Sequence, residues 1–303
     1  MPKGQSFLRN LLWVLPAAFL IIFFVVPLGN IMAVMAKSDG ILSANAILQP
    51  LWFTLWQAAL STVLTLLLGL PAAFIFARFQ FAGKDLLRLL TTLPFILPTV
   101  VVAAGFSALL GPRGLLNEWL MGLFQLDAPP IDFVNTLGAI LVAHVFYNTS
   151  VVIRVVGSAL SQLDPRMEDA GRVLGGKPWR VFTEITLPLL RPSIIVAALM
   201  VFLFDFTSFG VILLLGGPRF STLEVAIYTQ TLSMLNLRMA GLLSFIQLAC
   251  TFGVTLLYSR LNRRRSVPLM PRLKGEGVQK VGTRREKLGV GLIVTLLDRK
   301  SVV

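Results

Sequence analysis

Six stretches of this sequence stay predominantly apolar for more than twenty residues each: 11–35, 52–77, 89–110, 136–160, 192–215 and 239–261. About 20 such residues are enough to cross the hydrocarbon of a bilayer. Inside lipid an unpaired backbone group finds no water, so each crossing segment has to be a helix. The expected fold is therefore all-α, a polytopic membrane bundle of six transmembrane helices occupying residues 1–261. Only 14% of the 303 residues are charged, against about 25% in a soluble domain.

The charges between the blocks orient the bundle. One set of loops carries Lys3 and Arg9, then Arg78, Lys84 and Arg88, then Arg166, Arg172, Lys177, Arg180 and Arg191, and then a basic run at 262–287. The other set carries only Lys37, Arg113, Arg219 and Arg238. Lys and Arg collect on the cytoplasmic side, so the first set is read as inside and the N-terminus as cytoplasmic. The net charge of +13 is thereby read as topology. A nucleic-acid surface would need a basic face with exposed aromatics, and no nucleic-acid partner is expected; membrane lipid is. The run from residue 11 exceeds the apolar core of a signal peptide and is read as a retained first span. On the outer side, 111–135 and 220–238 are each expected to hold a short surface helix.

The spans are not uniformly apolar. Thr54, Gln57, Ser61 and Thr65 fall at helical spacing in the second, and Ser244, Gln247, Thr251 and Thr255 in the sixth. Each series lies on one helix face. Such a face serves either interhelical hydrogen bonding, at about 0.6 kcal/mol per bond, or the wall of a solute path. Asp205 and Ser208 share a face in the fifth span. A carboxylate at that depth is costly and is read as functional, with a hydrogen-bonded packing group as the alternative. The candidate path residues are therefore Asp205, Ser208, Gln57, Ser61, Gln247 and Thr251. His144 and Asn148, one turn apart in the fourth span, are read as packing groups. A lone histidine without further ligands makes a poor metal site, and no metal site is expected. The single cysteine, Cys250, precludes an internal disulfide. Pro94 and Pro98 are expected to kink the third span.

The loop between the fourth and fifth blocks is the most specific segment. It contains Asp169-Ala170-Gly171, then Gly175 after three residues, then Ile185, Leu187 and Pro188 beginning nine residues further on. Asp164-Pro165 supplies an N-cap and a proline for the first helical turn. Gly175-Gly176 permits a sharp bend with positive φ. A second short helix is expected from Pro178 to about Thr186, with Pro188 and Pro192 closing the loop. Ala170 and Gly171 are read as a bare surface for close approach by another backbone. Gly175-Gly176-Lys177 is not a phosphate-binding loop, because Lys177 is followed by Pro178 rather than Ser or Thr. The chain shows no grouping suited to catalysis.

This spacing resembles the "EAA" loop of ABC importer permeases, with Asp for Glu and Gly for the second Ala. The resemblance implies a coupling loop that inserts into a separate ATPase subunit, an extracytoplasmic solute-binding protein, and a bacterial inner-membrane location. It implies no enzyme activity and no cofactor in this chain, since ATP is bound by the partner. Phe206-Thr207-Ser208-Phe209-Gly210, Leu215-Gly216-Gly217-Pro218 and Leu223-Glu224-Val225-Ala226-Ile227-Tyr228 are similar to the ferric-iron and thiamine branch. That branch implies iron(III), and next thiamine, as solute, and a second permease half fused or separate. Residues 262–287 are read as a cytoplasmic linker. Residues 288–303 are read as the truncated start of a second half, with the last six foreign to it. An ion-driven secondary transporter or channel would account for the polar stripes and Asp205, but gives no reason for the loop spacing.

Overall fold

The computed structural model describes residues 14–37, 43–263 and 279–280. Its helices are α1 (Val14–Lys37), α2 (Ala44–Arg78), α3 (Lys84–Ile96), α4 (Thr99–Leu110), α5 (Leu115–Phe124), α6 (Leu137–Gln162), α7 (Pro165–Val173), α8 (Pro178–Phe206), α9 (Gly210–Leu215), α10 (Leu223–Tyr228) and α11 (Leu237–Arg263). Two-residue strands, β1 (Phe79–Gln80) and β2 (Gln279–Lys280), pair in parallel. Among the described residues, six helical segments are long and apolar enough to cross a membrane: Val14–Lys37, Ala44–Arg78, Thr99–Phe124, Leu137–Gln162, Pro178–Phe206 and Leu237–Leu261. Apart from the backbone at 262–263 and 279–280, the expected linker and second-half segment lie outside the described residues, as does Lys3–Arg9.

Contacts divide the chain into two units, Met1–Leu51 with Leu223–Ala249, and Trp52–Thr222 with Cys250–Val303. In the second, α6 is the central helix and packs on α3, α4, α8 and α9. Its Val151, Val152 and Val156 bury against Ala73 of α2 and Ala197 and Val201 of α8. Lipid tails are as apolar as these side chains, so close packing of small residues holds such helices together. Gly69 of α2 is one such residue: a Cβ there would stand 2.7 Å from the Cβ of Val152. At the other end Ala139 and Ala143 of α6 pack on Ala103 of α4 and on Val211 and Leu215 of α9. The Thr136 hydroxyl caps α6 by accepting from the Ala139 amide at 3.1 Å.

In the first unit, Gly241 of α11 faces Met35 of α1, where an added Cβ would lie 3.2 Å from the Met35 Cβ. Asn236 starts α11, its Oδ1 accepting from the Met239 amide at 3.1 Å. Short helices form in both segments where one was expected, α10 in this unit and α5 in the second, although α5 continues the candidate span Thr99–Phe124. Buried Asn117 pins the α5 loop, donating to the Gly111 and Ile131 carbonyls and accepting from the Ile131 amide.

Three expectations about the spans are corrected. The third block is not one kinked helix: α3 ends at Ile96, extended backbone at Leu97 and Pro98 intervenes, and α4 begins at Thr99. A proline disfavours helical backbone in the residue before it, which is why Leu97 is extended. The fifth span does not run unbroken through Leu215: α8 stops at Phe206, and α9 restarts at Gly210. Pro188 and Pro192 do not end the preceding loop either. The short helix from Pro178 continues through one wide turn at Phe182–Thr186, where the Leu187 amide donates to the Phe182 carbonyl, and runs on into the spanning helix. The shifted bonding of a wide turn allows the helix to continue past Pro188 without a break.

Candidate functional site

Two constellations carry polar or exposed groups that the fold does not need for itself. The first is the loop at one end of α6. Asp164 Oδ1 accepts from the Arg166 amide at 3.0 Å and Pro165 fills the first turn, so α7 starts as the sequence predicts. Gly175 has φ +84, the left-handed conformation expected of it. The chain then reverses, and the Gly176 amide donates to the Gly171 carbonyl at 3.0 Å. Asp169, Ala170 and Gly175 are exposed. Val173, Leu174 and Trp179 are 87%, 88% and 74% exposed, an apolar tip at the turn.

Gly171 departs from its expected role. A Cβ on it would meet Ile185 Cδ1 at 2.7 Å and Val181 Cγ2 at 3.2 Å. Its small size is therefore used inside the loop, to bring α7 onto α8, and the residue itself is half-buried. Ile185 serves the same contact. Leu187 and Pro188 are half-buried within α8.

The sequence reading missed what fastens the loop. Glu168 of α7 pairs with Arg78 at the end of α2 and accepts from the Thr186 hydroxyl of α8 at 2.8 Å. Three elements meet at one carboxylate whose side chain is only 15% exposed. The one available signal was its place immediately before Asp169, beside a basic residue ending the second block.

The second constellation lies deep in the bundle. Gln57 Nε2 donates to His144 Nδ1 at 2.7 Å, and His144 Nε2 meets Ser208 Oγ at 2.8 Å. Asn148 Nδ2 donates to Asp205 Oδ1 at 2.7 Å, and His144 Nδ1 lies 3.3 Å from the same oxygen. With Nδ1 accepting from Gln57, the imidazole proton sits on Nε2, an assignment made from the network. Ser61 stands beside the carboxylate, though Ser61 Oγ and Asp205 Oδ2 make no hydrogen bond of normal geometry. Thr54, Gln57, Ser61 and Thr65 are all fully buried, so the polar face of α2 points inward. Asp205, Ser208, Gln57 and Ser61 thus come together, and His144 and Asn148, read as packing groups, form the hub between them.

Gln247 and Thr251 are engaged otherwise. Gln247 Nε2 donates to Glu224 Oε1 at 3.3 Å. Burial pushes the Glu224 carboxyl up to about 7, against that hydrogen bond, which lowers it. The Thr251 carbonyl accepts from the Thr255 hydroxyl at 2.8 Å, and Ser244 bonds back to the Ala240 carbonyl in the same way. These hydroxyls satisfy themselves on their own helix, and Thr255 is exposed. The sixth-span stripe is thus not buried as the second-span stripe is. Among the described residues no three His, Cys, Asp or Glu gather as a metal site would require.

Residues 66–267, which contain the loop and its Glu168 fastening, match the family of binding-protein-dependent transport system inner membrane components. The chain belongs to this family. The permease is 27% identical over 282 residues to a putative 2-aminoethylphosphonate transport system permease protein of Salmonella typhi, covering 89% of this chain and 98% of the relative. It is 32% identical over 213 residues to the thiamine transport system permease protein of Escherichia coli K12, covering 70% of this chain but only 39% of that longer relative. Its fold matches a bacterial ABC transporter involved in import of the acidic polysaccharide alginate, with TM-score 0.69 and 18% identity over 87% of this chain and 98% of that one. An inward-facing methionine ABC transporter matches with TM-score 0.53 and 15% identity, covering 75% of this permease and all of that chain.

Proposed function

We propose that this permease forms the solute path of a bacterial inner-membrane importer and couples it to a separate ATPase subunit through the loop from Asp169 to Pro188. The observation that carries the reading is the exposed apolar tip, Val173, Leu174 and Trp179, held on a short helical hairpin whose base is fastened by Glu168. Apolar side chains displayed at such an end suit a partner protein's cleft. The N-terminus lies in the cytoplasm, a solute-binding protein delivers solute on the other face, and a second six-helix half, fused or separate, completes the path. Gln57, Ser61, Asp205 and Ser208 face that path in this reading.

The solute is a small organic compound of the kind named by the relatives, an aminophosphonate or thiamine. Iron(III), suggested by the sequence motifs, receives less support: the named relatives handle organic solutes, and among the described residues Asp205 is the only carboxylate in the buried network. Both organic solutes carry a positively charged nitrogen.

The test pairs Leu174→Asp with uptake. Leu174 is solvent-exposed, so the substitution leaves insertion and folding intact. The expected result is a permease present at normal levels that no longer co-purifies its ATPase and no longer drives uptake of thiamine or 2-aminoethylphosphonate into vesicles. Normal co-purification and uptake by this variant would remove the loop from the coupling role.

A further inference from the structure

A cavity of about 400 Å³ opens where α8 stops and α9 begins, between these helices and α3, α4 and α6. Asp205 stands in its wall, fully buried, with Oδ1 taken by Asn148 and Oδ2 without a partner. Asn148 Oδ1, in the same wall, also lacks a partner. Both unpartnered atoms are buried acceptors. His144 does not fill them, because its Nδ1 accepts from Gln57 and its Nε2 is directed at Ser208.

The rest of the wall decides which cation. Phe95 lies 5.8 Å from Phe204 and 6.4 Å from Tyr147 between ring centroids, and all three line the cavity. The Phe95 ring already holds one organic cation, the Arg154 guanidinium, 5.3 Å from its centre. A hard metal ion would need about six oxygen ligands, and the lining offers a single carboxylate. An alkylammonium or an aromatic cation is suited to both parts of this wall, placing its charge on the carboxylate and its carbon skeleton on the rings.

We propose that this cavity binds the positively charged nitrogen of an organic solute, with Asp205 as counter-ion and Phe95, Tyr147 and Phe204 as its aromatic wall. The proposal rests on the reading of this chain as a path-forming permease and names the chemical class that the path accepts.

The test is equilibrium binding to the full chain in lipid nanodiscs. The probes are two pairs that differ in the cationic nitrogen: thiamine with thiochrome, which lacks the positive charge, and 2-aminoethylphosphonate with ethylphosphonate, which keeps the anionic phosphonate and lacks the ammonium. At least one nitrogen-cation probe binds, and its counterpart without that cation binds weaker by about tenfold or more. Asp205→Asn removes that preference, whereas Asp205→Glu retains binding within about threefold. Equal affinity for the partners with and without the cationic nitrogen, unchanged binding in Asp205→Asn, or binding of neither nitrogen-cation probe overturns the proposal. Should Asp205→Asn fail to fold, the wild-type comparison still decides. Co-purification of the ATPase with Asp205→Asn stays normal, so the cation site and the coupling role fail separately.

Discussion

At Glu224 a carboxyl that titrates near 4.5 in an ordinary setting is pushed up to about 7 by burial, against a hydrogen bond from Gln247. The raised value means that the folded state prefers the protonated form. Its stabilising contribution is fully present below pH 4.5 and is lost as pH rises through about 7. Glu224→Gln carries no such titration. The thermal midpoint of the wild type should fall relative to that of Glu224→Gln between those two values, and stay level with it under more acidic conditions. Equal slopes for the two proteins would show that Glu224 is solvated. Asp205 was legible in the sequence because a charge in an apolar block is conspicuous. Glu224 was not, because it lies in a segment between the spans, and only the fold buries it and brings Gln247 to it.

Among the elements, the hairpin of α7 and the start of α8 shows what sequence spacing does and does not reveal. Its exposed apolar tip emerged only from the structure, whereas its N-cap and its Gly175 bend follow from local chemistry, so they were readable. The purpose of Gly171 was not, because the contact that demands a glycine comes from Ile185, fourteen residues away and placed by the reversal at Gly175. Gly171→Ala should destabilise the hairpin by about 1–3 kcal/mol through overpacking. Ile185→Val removes the methyl group that stands 2.7 Å from the new Cβ. The double variant should therefore recover much of the lost thermal stability and ATPase co-purification, a coupling visible in a double-mutant cycle. No recovery would mean that Gly171 serves the partner after all. The breaks at Leu97–Pro98 and Thr207–Phe209 were hidden for a related reason. Proline announces a kink without its size, and Thr207-Ser208-Phe209 contains no helix breaker at all.

For the whole molecule, the charge bias predicts which end of α6 faces the cytoplasm, and labelling tests it. In a Cys250→Ala background, Ser161→Cys should react with a membrane-impermeant thiol reagent only from the inside, and Asp127→Cys only from the outside. The reverse pattern would put the hairpin on the wrong side for an ATPase. The α6 helix of 26 residues is about 39 Å long, enough to cross the hydrocarbon and reach both interfaces. The wide turn at Phe182–Thr186 bears on the same scale. By keeping helical bonding through Pro188, it joins the hairpin tip to the residue facing the cavity in one unbroken member, from Trp179 to Asp205. In the proposed coupling that member would work as a connecting rod: a tilt of about 5° imposed at one end would displace the other by roughly 3–4 Å over its length of about 40 Å. A displacement of that size is comparable to the separation between Asp205 and the groups around it. The stroke of a nucleotide-driven partner would then reach the cavity without any joint between them.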